Sequence, residues 1–327
     1  MKNTDCPCFW KIGTVPVFLI LLLCTFTAGA QSWPSKPIRF IVSFPPGGSS
    51  DLIARSIAPK MAEKLGQSVI VENKPGAGGN IGVDAVAKSA PDGYTIGLAA
   101  AGALSVNQSL YASMPFDPQK DLAPISMLAM IPFFLVAHPS QKPTLAEVLL
   151  DAKTRPLAFG HGGNGSAMHL SGELLKMMTN VPLIAVAYKG SGPVATDVLG
   201  GQVPLGIVDV PSAIANVKAG KLRALAVTTK RRISAAPDVP TFEEAGVAGY
   251  ESIGWFGAVA PAGTPPAVIS RLNAEIGAAL AAPEVSEKAL AAGAEPLASS
   301  PQEFAALIRD EARKWGDVIK KAGVKVE

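Results

Sequence analysis

Apolar residues occur along this chain in two alternating patterns: short continuous runs, and longer runs with a helical period. The short runs, bounded by glycine, proline or polar residues, predict buried strands. We place these strands at residues 38–44, 68–72, 95–100, 133–138, 157–160, 183–188, 203–209, 223–228 and 252–260. The chain closes with two segments of helical period, at 266–281 and 301–322. Alternation of the two patterns predicts an α/β fold with a largely parallel sheet.

The first predicted strand leads into a glycine-rich turn, SFPPGGSSD at 43–51, and then into a predicted helix. Apolar residues recur every fourth position from Ile53 to Leu65, as on one helix face. The first N–H groups of a helix have no intrahelical acceptor, and the helix dipole places partial positive charge at the same end. Gly47 and Gly48 have no Cβ, so a ligand can approach their backbone closely. The turn is therefore a predicted site for a small anion.

A second strand–glycine–helix unit lies further along the chain. The run at 157–160 is followed by GGNG at 162–165, and Ser166 begins another segment of helical period. Two such units predict two similar α/β lobes, each presenting a helix N-terminus. Ligands of open α/β sheets bind beyond the carboxyl ends of the strands, where these loops lie. If the lobes face one another, both helix ends point into one cleft.

Asp209 follows the apolar run 203–208 and precedes Val-Pro-Ser. Its position fits the N-cap of the next helix. It equally fits a carboxylate that projects into the cleft and accepts a hydrogen bond from an ammonium or hydroxyl of the ligand. The residues leave both interpretations open.

Residues 1–30 have the organisation of an export signal: a basic start, an uncharged apolar stretch at 12–28, and Ala28-Gly-Ala30. We expect export and cleavage after Ala30. The apolar stretch is short for a permanent membrane span, which disfavours an anchor. Lipid attachment at Cys24 is disfavoured by the bulky Leu23 before it.

Composition excludes several classes of site. All three cysteines lie within residues 1–30, so the mature chain has no disulfide and no thiolate metal site. The formal net charge is only +3, without a basic stripe, which gives no reason to expect nucleic acid. His161 and His169 lack the spacing of zinc ligands. We predict no metal and no cofactor.

Two segments resemble enzyme motifs, but each lacks part of the motif. GHGGNG at 160–165 matches a dinucleotide-binding pattern, but the next strand ends in Ala-Tyr-Lys and lacks the partner acid. A hydrolase could use Ser166 and His169 with an unidentified acid, although Ser166 does not stand in Gly-x-Ser-x-Gly. An exported serine hydrolase remains the rival hypothesis.

Motifs spread over nearly all of the mature chain carry a family resemblance: IVSFPPGGSSD at 41–51, VENKPGAGGNIG at 71–82, PDGYT at 91–95, GNGS at 163–166, YKGS at 188–191, GQV at 201–203, LRALA at 222–226, PDVPT at 237–241 and APAGTP at 260–265. Together and in this order they resemble the Bug family, the extracytoplasmic solute receptors of tripartite tricarboxylate transporters. No one of these motifs alone would be specific.

The resemblance implies an α/β, two-lobed periplasmic binding protein of type II, each lobe a sheet flanked by helices. Two crossover segments would lie near 127–133 and 249–257. The lobes would comprise residues 31–130 plus 254–327, and residues 131–253. It implies a non-enzymatic periplasmic monomer that binds a small carboxylate, mainly through backbone amides and ordered water, and serves membrane transporter subunits.

The resemblance also maps a binding site onto this chain. The first loop would contribute Phe44, Pro46, Gly47, Gly48, Ser49 and Ser50. A cleft wall would contain Ala101, Gly102 and Asn107, and the facing loop would contribute Asn164, Gly165 and Ser166. Asp209 is the candidate for selecting a second group of the ligand.

This chain departs from the family pattern in places. Ala187 stands where proline is usual, and Pro204 stands where an acid is usual. Ala101 and Leu104 make the cleft wall apolar, which disfavours a highly polar ligand such as citrate.

A sensory subunit that signals through a membrane kinase would share this fold, and the sequence leaves that alternative open.

Overall fold

The computed structural model describes residues 33–322, so the predicted export signal and its cleavage after Ala30 lie outside the described residues. The strands are β1 (Ile38–Val42), β2 (Val69–Asn73), β3 (Thr95–Ala100), β4 (Leu122–Ala137), β5 (Leu157–His161), β6 (Leu183–Ala187), β7 (Leu205–Asp209), β8 (Arg223–Val227), β9 (Ile253–Pro261) and β10 (Glu295–Pro296). The helices are α1 (Ser49–Leu65), α2 (Asn80–Ala87), α3 (Asn107–Leu110), α4 (Leu145–Thr154), α5 (Ala167–Thr179), α6 (Ser191–Leu199), α7 (Val210–Lys218), α8 (Pro266–Ala281), α9 (Pro283–Ala291) and α10 (Pro301–Ala322).

The long strand β4 joins the two lobes. It pairs with β9 from Leu122 to Pro132, and with β7 from Phe133 to Ala137. We use first lobe for the part that contains β1–β3 and second lobe for the part that contains β5–β8. The two predicted crossovers thus fall on β4 and on the start of β9, where the chain passes between the lobes.

The prediction of a largely parallel sheet is wrong at the centre of the molecule. The outer strands are parallel: β1 pairs with β2 and β3 in the first lobe, and β5 pairs with β6 and β7 in the second. Between them β4 and β9 are antiparallel to each other and to β7 and β3, respectively. They run in opposite directions because one carries the chain into the second lobe and the other brings it back.

Most predicted strands agree with the structure to within two residues, but the strand predicted at 133–138 covers only the last five residues of β4. The part of β4 before residue 133 contains Pro124 and Pro132, which argue against a central strand. Register shifts between Pro124 and Ser126 and between Met127 and Ala129 accommodate the interruption. The last long helices, α8 and α10, have the predicted bounds.

Both predicted strand–glycine–helix units are present, as β1–α1 and β5–α5. Two further helices begin directly beyond parallel strands of the second lobe, α6 after β6 and α7 after β7. The face of α1 predicted to be apolar packs fully buried against the sheet of the first lobe, through Ile53, Ile57 and Met61. This packing fixes α1 with its N-terminus at the carboxyl end of β1, which positions the first side of the site.

Candidate functional site

A cleft lies between the lobes where β4 and β9 cross from one to the other. Its base is formed by these two strands, through Ile131, Phe133, Gly254, Trp255 and Phe256. Its walls are the loops after β1 and β3 in the first lobe and after β5, β6 and β7 in the second. The enclosed space is narrow, with a cavity volume of about 40 Å³.

The β1–α1 loop forms the first wall, through Phe44, Pro45, Pro46, Gly48, Ser49 and Ser50. Gly47 has a φ of +85°, a conformation that favours glycine, and its N–H donates to Asp51 at 3.1 Å. Arg55 and Asn73 also donate to the Asp51 carboxylate, at 2.9 and 3.0 Å. Burial raises the pKa of Asp51, but these hydrogen bonds outweigh it and hold that pKa below its ordinary value. Asp51 therefore acts as a buried anion that shapes the loop.

The start of α5 forms part of the opposite wall. Ser166 is its N-cap, and the Ser166 Oγ accepts a hydrogen bond of 3.2 Å from the His169 N–H. Ser166, Ala167 and Met168 line the cleft. The two predicted helix N-termini, of α1 and α5, therefore meet at one cleft.

The start of α6 is a third helix end at the cleft, through Gly190, Ser191, Gly192 and Pro193. We did not predict these as site residues. A signal was present: Gly190-Ser191 follows β6 in the way that Gly48-Ser49 follows β1, at the carboxyl end of a parallel strand. That repetition could have located the third loop.

Asp209 is both the N-cap of α7 and a lining residue of the cleft, while its contact with a ligand stays a prediction. It is the N-cap of α7, with Oδ1 accepting from the Ser212 N–H at 3.0 Å. It also lines the cleft, 4% exposed, and its Oδ2 accepts a 2.5 Å hydrogen bond from the Ser49 hydroxyl of the first lobe. The Asp209 N–H donates to the Ser191 Oγ at 2.8 Å. Asp209 thus connects three helix starts, those of α1 and α7 through its carboxylate and that of α6 through its backbone N–H.

Five predicted site residues lie beside the cleft rather than in its lining: Gly47, Gly102, Asn107, Asn164 and Gly165. The last four belong to a contact between the lobes, which we call the lobe contact. It consists of Gly78, Gly102, Asn107 and Tyr111 in the first lobe and residues 163–165 in the second.

At the lobe contact, Gly78 and Gly102 of the first lobe lie close to backbone carbonyl groups of the second lobe. The Tyr111 hydroxyl donates to the Asn164 carbonyl at 2.8 Å. A Cβ placed on Gly102 would lie 2.5 Å from the Gly165 carbonyl oxygen, and one on Gly78 would clash with the Asn164 carbonyl. The absence of side chains at these glycines is therefore what allows the lobes to approach this closely.

Polar side chains are few in the cleft. Among its lining residues they are the hydroxyls of four serines, the Asp209 carboxylate and the Trp255 indole N–H; the serines are Ser49, Ser50, Ser166 and Ser191. None of the lining residues is Lys or Arg. The sequence predicted three apolar lining residues, Phe44, Pro46 and Ala101, but not the rest of the apolar lining, which comprises Pro45, Ala100, Ile131, Phe133, Ala167, Met168, Pro193, Trp255 and Phe256.

The two histidines near the second wall face each other and not the serine hydroxyl. The rings of His161 and His169 stack at a centroid distance of 4.4 Å. Burial, followed by repulsion from His169, lowers the pKa of His161 to about 3, and burial also lowers the pKa of His169. Because the His169 Nδ1 accepts from the Gly165 N–H and Ser166 contacts the His169 backbone, the geometry does not form a serine–histidine pair.

Within residues 33–322 no helix combines the length and the hydrophobicity that a membrane crossing requires. The same residues contain no group of three or more His, Cys, Asp or Glu side chains arranged to hold a metal ion.

Comparison with known proteins decides the family. The tripartite tricarboxylate transporter family receptor, TctC, matches residues 53–324 of this chain. The chain belongs to the TctC family. It is 38% identical to protein BugT of Bordetella pertussis over 320 residues, which cover 97% of this chain and 98% of BugT. The resemblance to the Bug family is thereby confirmed.

Solved structures of TctC-like proteins confirm the two-lobed fold. Rpa4515 of R. palustris, solved with adipate, is 38% identical, with a TM-score of 0.86 over 90% of this chain and 100% of that one. MatC of Rhodopseudomonas palustris, solved with bound malate, is 32% identical, with a TM-score of 0.83 over 88% and 100% of the two chains. The TctC family is one of periplasmic binding proteins and not of enzymes, so the hydrolase hypothesis is wrong.

Proposed function

We propose that this TctC-family receptor captures a small organic carboxylate in the cleft and delivers it to the membrane subunits of a tripartite transporter. The observation that carries the proposal is the convergence of the starts of α1, α5 and α6 on one buried cavity between the lobes. Relatives solved with adipate and with malate support a carboxylate as the ligand class.

Backbone donors suffice to hold an anion without a cationic side chain. A helix N-terminus contributes about 0.3–1 kcal/mol to binding of a negative charge. A hydrogen bond to a charged group nets about 1.5–3 kcal/mol. Two helix ends and four such bonds therefore reach roughly 7–14 kcal/mol before the cost of ordering, and micromolar binding requires about 8 kcal/mol.

We propose two roles for the predicted site residues. Those that line the cleft would contact the ligand: Phe44, Pro46, Gly48, Ser49, Ser50, Ala101, Ser166 and Asp209. Those of the lobe contact, Gly102, Asn107, Asn164 and Gly165, would hold the lobes in the closed arrangement, while Gly47 shapes the first loop. We place the lobe boundaries near residues 130 and 254, supported by the change of partner strand along β4.

Calorimetric titration of the purified protein with mono-, di- and tricarboxylates tests the proposal. We expect saturable binding of at least one acid with a micromolar or lower Kd, and no binding of its neutral amide. Absence of binding across the panel, with the protein shown to be folded by circular dichroism, would contradict the proposed function.

Delivery to a transporter and export require separate tests. Deleting the gene in its host should abolish uptake of the acid identified by calorimetry, and expression of the intact gene should restore it. Mass spectrometry of the protein from the periplasmic fraction should show Gln31 as the first residue. Any other first residue, including a lipid-modified Cys24, would contradict cleavage after Ala30.

A further inference from the structure

We infer that the cleft selects an acid with a single carboxylate and a compact apolar body, and that it discriminates against a second carboxylate. The inference rests on the proposed function and adds the class of ligand to it. Three features of the cleft support it: where its donors lie, where its negative charge lies, and what covers the rest of its surface.

The hydroxyl donors of the cleft are confined to one region, the helix starts. Ser166 and Ser191 each use Oγ to accept a backbone N–H, from His169 and Asp209 respectively, so each O–H hydrogen remains available to a ligand. The first N–H groups of the same helices have no intrahelical acceptor. This grouping matches one carboxylate, which accepts several hydrogen bonds within a small volume.

Asp209 is the one charged side chain among the lining residues. The residue is 4% exposed, and its carboxylate accepts hydrogen bonds from the Ser212 N–H and the Ser49 hydroxyl. A second carboxylate on the ligand would share a buried, narrow space with this group without a cation between them, and like charges repel strongly where water is excluded. A carboxylate oxygen of Asp209 can instead accept a hydrogen bond from a hydroxyl or ammonium of the ligand.

The remaining surface is apolar. It includes the side chains of Phe44, Ile131, Phe133, Met168 and Phe256. A carboxylate placed against these groups would lose its hydration without gaining hydrogen bonds, whereas a methyl, methylene or ring group would be stabilised by contact.

One isolated donor interrupts the apolar surface. Trp255 lines the cleft at 5% exposure, and its indole Nε1–H has no partner within residues 33–322. A single neutral N–H can satisfy one acceptor of a ligand, such as a carbonyl or ether oxygen. It does not provide the several donors that a second carboxylate requires.

Calorimetry with matched acids tests the inference. The pairs are butanoate and succinate, pentanoate and glutarate, and benzoate and terephthalate, with butanamide as a neutral control. We expect the monocarboxylate of the preferred pair to bind about tenfold more tightly or better, and butanamide not to bind. Tighter or equal binding of the dicarboxylate would overturn the inference while leaving a carboxylate receptor intact. No binding by any acid, wider panel included, would overturn the proposed function and the inference with it.

The Asp209→Asn variant provides the second test. Asparagine is as good an N-cap as aspartate, so α7 should be retained. Removing the charge should improve dicarboxylate binding and reduce the monocarboxylate preference at least about threefold. Asp151→Asn is the matched control, because Asp151 pairs with Arg155 on α4 and does not line the cleft. An unchanged preference in a folded Asp209→Asn protein would contradict the role of Asp209.

Discussion

Ser49 and Asp209 belong to different lobes, and the Ser49 hydroxyl donates a 2.5 Å hydrogen bond to the Asp209 carboxylate. Ser49 is the first residue of α1, and Asp209 is the last residue of β7 and the cap of α7. Both line the cleft. If the proposed site is correct, one hydrogen-bonded pair both joins the lobes and lines the ligand site, and we expect ligand binding and lobe closure to be coupled through it.

Tyr111→Phe should weaken ligand binding modestly. The change removes the hydrogen bond from the Tyr111 hydroxyl to the Asn164 carbonyl across the lobe contact and leaves the ring in place. A neutral hydrogen bond contributes about 1 kcal/mol, so we expect a roughly fivefold higher Kd, mainly through faster dissociation. Stopped-flow fluorescence measures the dissociation rate. Tyr94→Phe, whose hydroxyl contacts Ser35 far from the cleft, is the control and should leave the rate unchanged.

Gly102→Ala should push the lobes apart. The new Cβ would lie 2.5 Å from the Gly165 carbonyl oxygen, which is backbone and cannot rotate away. We expect at least about a tenfold loss of affinity and a larger radius of gyration with ligand present, measured by calorimetry and small-angle X-ray scattering. Gly277→Ala, with open space around its Cβ on α8, should change neither value. Wild-type affinity in Gly102→Ala would argue against closure through this contact.

Gly48→Val should abolish ligand binding while preserving the fold. The nearest atoms to a Cβ at Gly48 are the Pro45 carbonyl oxygen at 3.9 Å and the Ser212 Oγ at 4.0 Å, so the protein itself leaves room there. Gly48 caps α1 in an extended conformation that valine adopts readily. The side chain would occupy space beside the α1 N-terminus, one of the three helix starts that converge on the proposed carboxylate site. Calorimetry should show no binding, with Gly277→Val as the control; retained affinity would exclude this placement of the ligand.

The stacked histidines predict loss of stability at acid pH. The pKa of His161 is about 3 in the folded protein, against 6.5 as the ordinary value, so the unfolded chain binds more protons between these two pH values. The contribution of neutral His161 to the free energy of unfolding is complete above pH 6.5 and decreases as the pH falls toward 3. At pH 5 the free energy of unfolding should be lower by about 2 kcal/mol, and the lowered pKa of His169 acts in the same direction.

Urea denaturation at pH 7.5, 6 and 5 tests this prediction. His161→Asn should flatten the pH dependence, because asparagine keeps an acceptor for the Gly163 N–H but does not take up a proton. His138→Asn, at a half-buried position beside Ser140, is the matched control for the substitution itself. Equal slopes in the wild-type and His161→Asn proteins would refute the assignment to this ring.

Local rules explain which parts of the fold were predictable. The helix starts at Ser49 and Ser166 follow from a strand, a glycine turn and an apolar period, all of which lie within about 25 contiguous residues. The capping box of α10, with Ser300 and Glu303 bonded to each other's N–H groups, follows from two residues three positions apart. Such features depend on nearest neighbours along the chain and can be read from them.

The base of the cleft could not be predicted in this way. Ile131, Phe133 and Phe256 have the same apolar character as residues of the core, and nothing in their types distinguishes a lining from a packed interior. Their exposure to the cleft arises because β4 and β9 continue from one lobe into the other. Because Pro124 and Pro132 argue against a central strand, the sequence did not predict that β4 is continuous.

The sequence by itself determined the two glycine loops, the helix ends beside them and the family to which these motifs belong, because each is encoded in a short stretch of chain. Only the tertiary structure decided that Asn164 and Gly165 meet the opposite lobe, that Gly190-Ser191 forms a third helix end at the cleft, and that Asp209 contacts Ser49. These relationships join residues far apart in sequence, and their distances are set by how two separately packed lobes come together about a shared pair of strands.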